Sequence, residues 1–149
     1  MNPPNIHLGR KASERGSATV ELAILTPFVL LVLTLLIAGG RVVTAQTSLD
    51  AATSAAARAA SLARTPTTAQ NAAQSTGAAT LAQHGLTCTN TALRADTTAL
   101  TTGPGSGGQV TVTGHCRVAL ADLLAPGLPG SVPLSADFAS PRDPYRTSS

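Results

Sequence analysis

A chain of 149 residues has room for one modest domain plus appendages. With no Trp, one Tyr and two Phe, and with Ala, Thr, Ser and Gly dominating, it is short of the large side chains that fill a core, so burial per residue is low. The net charge of +3 comes from Lys and Arg scattered along the chain without aromatic interleaving or a dense basic run, which excludes a nucleic-acid-binding surface.

In chain order, the first element is a short basic leader in which Arg10, Lys11 and Arg15 are opposed only by Glu14. Behind it, Leu22 to Gly40 reads LAILTPFVLLVLTLLIAGG, 19 residues without a charge. As a helix this run spans about 28 Å, the thickness of a bilayer hydrocarbon core. Pro27 near its start and the Gly39-Gly40 pair are tolerated in membrane helices. A buried helix of a soluble fold would need a larger protein around it. Arg41 stands alone after the run, so the positive charge lies before it and stays in the cytoplasm. The expected arrangement is one pass through the cytoplasmic membrane, N-terminus inside and C-terminus outside. A cleaved signal peptide ending at Val43-Thr44-Ala45 is the competing reading, with a mature start at Gln46.

At the start of the apolar run, Glu21 is the fifth residue counted from Ser17 in Arg15-Gly16-Ser17-Ala18-Thr19-Val20-Glu21-Leu22. A carboxylate at the edge of a hydrophobic span has to be neutralised, solvated at the interface or paired with a cation. One reading is purely structural: an interfacial acid in the first helical turn, helped by Ser17 or Thr19.

The other reading comes from a resemblance. Gly16 followed by Glu21, with basic residues before and an apolar helix after, looks like the processing site of type IV prepilins and pseudopilins. More closely, residues 10 to 64 resemble TadE-like proteins of tight-adherence pilus systems. They share the basic leader, a Gly-Ser-x-x-Val-Glu-type motif, a Pro inside the membrane helix and an Ala-Ala-Arg-Ala-Ala element, here Ala56-Ala57-Arg58-Ala59-Ala60. The resemblance implies a minor pseudopilin or pilus-assembly component. It further implies processing between Gly16 and Ser17 by a prepilin peptidase, and an assembly role in which Glu21 meets the new amino terminus of a neighbouring subunit. Its partners would be the lipid bilayer and other pilus or secretion components.

Beyond the span, Arg41 to Arg64 has no Gly or Pro and is rich in Ala, so the helix is expected to continue as a stalk. Val42, Ala45, Leu49, Ala52, Ala56, Ala59 and Ala63 recur at spacings of three and four, a narrow seam of small apolar residues. Such a seam allows close packing, either with other helices or under the protein's own distal part.

Thr65-Pro66 ends that helix, and Thr67 to His84 is expected to form a second one stopped by Gly85. Thr87 to Thr101 and Gln109 to Leu120 read as a β-hairpin around the loop Gly103 to Gly108, and Val132 to Ala139 as a further short strand. Cys88 and Cys116 both follow the span, and an even pair in an oxidising compartment reads as a disulfide. It would join the two strands or staple one of them to the preceding helix. A zinc tetrad of His84, Cys88, His115 and Cys116 is disfavoured, because its spacing matches no standard finger and adjacent residues on a strand point to opposite faces.

The fold class is therefore α+β: a long transmembrane and stalk helix, then a small extracytoplasmic domain with an antiparallel hairpin and a disulfide. Its expected parts are a leader over 1–16, a membrane helix over 17–40, a stalk over 41–64, a domain over 65–141 and a tail over 142–149.

No enzyme is expected. Gly103 to Gly108 lacks the Lys and Ser or Thr of a phosphate loop, the three His are isolated in sequence, and the seven acidic residues form no catalytic pair. No catalytic residue, metal or cofactor is assigned. The alternative to a pilus component is a membrane-anchored or secreted extracytoplasmic binding domain, to which Gly16 and Glu21 would be irrelevant.

Overall fold

The computed structural model describes residues 14–102, 108–124 and 126–142, with side chains from Thr19 onward. Most of the expected leader, the tail beyond Arg142 and most of the glycine loop lie outside the described residues. Met1–Ile37 and Ala38–Ser149 are two compact units. Helix α1, Glu14–Ser61, contributes to both.

In the first unit, α1 is an apolar helix with Pro27 inside it. Its hydroxyls are turned back onto its own backbone, Thr26 Oγ1 donating to Leu22 O at 2.6 Å and Thr34 Oγ1 to Leu30 O at 2.7 Å. No hydroxyl of these two is left to hydrate, which suits a helix meant for an apolar surrounding.

The second unit is a three-stranded antiparallel sheet with helices on one face. After α1 come α2 (Pro66–Gln83), β1 (Asn90–Asp96), a single 3-10 turn over Thr98–Leu100, β2 (Gln109–Ala119), the one-turn α3 (Leu120–Leu123) and β3 (Ser131–Pro141). The strand order is β1-β2-β3. Helix α2 has the ends that the sequence announces. Thr65 is its N-cap in a capping box with Thr68, Pro66 opens its first turn, and Gly85 with φ +66° reverses the chain after it.

The stalk seam is taken up within this unit. Ala45, Leu49, Ala52 and Ala56 are buried together with Ala57 and Ala60, and they share two clusters with Val110, Val112, Cys116 and Val118 of β2 and Leu134 and Ala136 of β3. The largest fully buried side chains are Leu, Val, Thr and Cys; no aromatic is among them. A core without rings fills space by bringing backbones close. Gly114 of β2 lies under α1, where a Cβ would overlap Thr53 Oγ1, and Gly77 of α2 lies where a Cβ would overlap Leu93 Cδ1. Leu93 thus sits between two glycines, occupying volume that their side chains would need.

Two strand boundaries differ from expectation. The first strand ends at Asp96, because its Oδ1 accepts from both the Thr98 amide (3.1 Å) and the Thr98 hydroxyl (2.8 Å), folding the chain into the 3-10 turn. The third strand is longer than Val132 to Ala139, running through Pro133 to Pro141. Gln46 Nε2 donates to Ser135 O and Arg142 N to Gly108 O, each at 2.9 Å. Antiparallel alternation then turns the odd-numbered peptide groups of β3 outward, so Pro133 and Pro141 remove no ladder bond. Arg142, the first residue of the expected tail, is pinned. Its Nη1 donates to Ala99 O at 2.8 Å and Thr102 O at 3.2 Å.

Candidate functional site

The chain offers three places where chemistry or contact can occur: the N-terminal end of α1, the disulfide region and the uncovered sheet face. Gly16 and Ser17 lie in the first turns of α1, their side chains outside the described ones. Glu21 is exposed on α1 one turn further on, followed by an unbroken exposed apolar surface that includes Leu22, Phe28 and Leu36, the last 68% exposed. A helix with one carboxylate at the edge of so much uncovered apolar surface is built to be surrounded by something apolar. It is a candidate membrane span by length and composition.

In the second unit, Cys88 and Cys116 are joined in a disulfide with Cα atoms 5.5 Å apart. It ties the connection between α2 and β1 to the central strand, between the two alternatives left open by the sequence. Cys116 is buried in the core beneath α1, while the neighbouring His115 is exposed on the opposite face. His84 caps the end of α2. The two sulfurs are bonded to each other, so they are not thiolate ligands, and among the described residues no cluster of metal-ligating side chains occurs.

The sheet face away from the helices is polar. Strand register places Arg94, Thr113 and Asp137 in one row, Ala92, His115 and Ser135 in the next, and Asn90, Arg117 and Pro133 beyond it. These residues are exposed or half-buried. No local pattern of residues marks this face, because only the register brings the three rows together.

The outer edge of β1 is closed by one side chain. Gln70 on α2 donates through Nε2 to Leu93 O and accepts at Oε1 from Ala95 N, both at 2.8 Å. Its amide stands where the peptide group of a fourth strand would stand, which blunts an edge otherwise open to pairing.

Among known proteins, the N-terminal half has a counterpart. Residues 16–58 match the family model described as TadE-like protein. The match lies within the stretch that resembles this family, begins at Gly16 and runs through the Ala56 to Arg58 part of the alanine element. No curated protein and no solved structure matches the chain. The match suggests a role related to pilus assembly. With α1 as a candidate span, these features are consistent with a membrane-anchored protein.

Proposed function

We propose that the protein is a minor pseudopilin or pilus-assembly component, held in the cytoplasmic membrane by α1 with its leader inside and its disulfide-bearing domain outside. The observation that carries this reading is the coincidence of three boundaries. The TadE-like match begins at Gly16, the acid Glu21 follows five residues later, and Glu21 stands at the head of the exposed apolar surface of α1, between Val20 and Leu22.

In this reading a prepilin peptidase cuts between Gly16 and Ser17. Glycine is the weakest non-proline helix former, so the turn around Gly16 opens at little cost. Cutting creates a cationic amine at Ser17. An acid at the edge of a bilayer is tolerated when a cation pairs with it, and the amine of a neighbouring subunit is a partner that Glu21 can reach only on assembly. Assembly then proceeds through helix contacts along the apolar part of α1, because the stalk seam is already engaged with the protein's own sheet.

The test is the N-terminal residue of the mature, membrane-extracted protein, read by mass spectrometry. A start at Ser17, with a methylated amine, is the expected result. A start at Gln46 discards the apolar block and overturns the proposal, and an intact Met1 reduces α1 to a plain anchor. The uncovered polar sheet face favours a second reading, an anchored binding domain; in that case removing Glu21 leaves every association unchanged.

A further inference from the structure

The segment between β2 and β3 holds two leucines where a soluble domain would hold polar residues. Leu124 is 41% exposed and Leu128 is 45% exposed, in a loop that also carries Pro126, Gly127, Pro129 and Gly130. The loop is closed at its base, Leu120 N donating to Gly130 O at 3.0 Å. Gly127 and Gly130 take φ of +93° and +114°, conformations open to glycine and strained for other residues.

The position of this loop along the chain's own helix says what it faces. Leu123, the last residue of α3, is buried in one cluster with Ala45 and Leu49, with Val42 packed against it. Arg41 Nη1 donates to Leu123 O at 3.4 Å. Arg41 is the first residue after the apolar run that ends at Gly40. The base of the loop is therefore fixed beside Arg41 and Val42, in the turn that follows Gly40. Val43, in the same turn as Arg41, is also exposed. An arginine at the end of a span, with exposed Leu124 adjoining the residue it bonds and exposed Leu128 in the same short loop, is the composition of a membrane interface.

We infer that the loop carrying Leu124 and Leu128 rests in the interfacial layer of the bilayer and forms a second, non-spanning attachment of the domain to the lipid surface. The inference rests on the reading of α1 as a membrane span. Lipid is the occupant because the loop is continuous with the end of that span through Arg41 and Leu123. Asp122, exposed in the same segment, and His84 line the recess beside Arg41, so the net charge there is small and the attachment is apolar, independent of anionic lipid.

The absence of Trp makes a clean test available. Leu124→Trp and Leu128→Trp are each introduced into the full chain and reconstituted in phosphatidylcholine vesicles brominated near the top of the acyl chains. Leu31→Trp in the span and Thr111→Trp on the open sheet face serve as references. The expected result is blue-shifted emission and strong bromine quenching at positions 31, 124 and 128, with none at 111. Quenching at 31 without quenching at 124 and 128 overturns the inference while leaving the span intact. Loss of quenching at 31 as well removes the membrane reading on which it stands. Equal quenching at 111 would mean nonspecific adsorption of the domain, which also overturns it.

Discussion

Thr53 Oγ1 occupies the space that a side chain on Gly114 would need. The hydroxyl is itself held, donating to Leu49 O at 2.8 Å, and Thr53 is fully buried. Helix α1 and strand β2 are thus in contact backbone to side chain, with no slack. Gly114→Ala should destabilise the domain by about 1–3 kcal/mol, the usual cost of overpacking. Adding Thr53→Ala should recover part of the loss, giving a coupling of about 0.5–3 kcal/mol. Urea unfolding of the full chain in detergent, followed by pulse proteolysis, measures both; strict additivity would remove the contact as the cause.

Gln70 makes two bonds to the edge of β1, and Gln70→Ala should cost about 1–3 kcal/mol through their loss. The sharper signature is local. Ala95 N–H should exchange with solvent much faster in Gln70→Ala than in the wild type, because Gln70 Oε1 is its acceptor. Hydrogen exchange resolved at Ala95 decides the matter.

The Cys88–Cys116 bridge closes a separation of 28 residues. On the chain-entropy account, replacing both cysteines by Ala should lower stability by about 3.5 kcal/mol. For a domain whose largest fully buried side chains, among the described residues, are Leu, Val, Thr and Cys, this is a large share of the total. Reduction should therefore render the domain protease-sensitive while leaving α1 anchored, as immunoblots of membranes treated with reductant and protease would record.

The Asp96 carboxyl is held below its ordinary value of 3.8 by the backbone amide of Thr98 and then by the Thr98 hydroxyl. A depressed carboxyl contributes stability above its unfolded-state value and loses that contribution as pH falls through the lower folded-state value. The stability difference between the wild type and Asp96→Asn should be constant near neutral pH and shrink below about pH 4. In Thr98→Ala the Asp96 titration, followed by carbon NMR of its carboxyl, should move upward, since the hydroxyl is gone and the amide remains.

If Glu21 pairs with a neighbour's new amine, Glu21→Ala should abolish subunit association while the protein still reaches the membrane. Cross-linking in intact cells, compared with membrane fractionation of the same cells, separates the two effects. Unchanged cross-linking would favour the anchored-domain reading.

Much of this architecture is visible in the residues themselves. Helix α2 could be placed almost to the residue because its ends are written in local chemistry, Thr65-Pro66 at one and Gly85 at the other. The small-residue seam of α1 was equally visible, but periodicity says only that a face is buried, never against what; that the protein's own sheet fills it emerges from packing. Pro133 and Pro141 hid the true extent of β3, because whether a proline harms a strand depends on which way its missing N–H would have pointed. Gln70, Arg41 and Arg142 were illegible for a related reason. Each is an ordinary polar residue until the fold brings a distant carbonyl within its reach. Gly16 and Glu21 were singled out by resemblance, and the roles proposed for them depend on neighbours outside a single chain.

The alanine face of α1 also bears on how such a chain can change over generations. Where Ala52, Ala56 and Ala60 press on the sheet with no exposed surface, the spacing between helix and strands is the thickness of methyl groups. Any larger residue there needs simultaneous shrinkage across the interface, so single-step substitution is nearly closed off on that face. The outward rows through Thr113, His115 and Arg117 carry no such constraint. The residues shown on the open sheet face are therefore free to change, while those on the buried face of α1 are not.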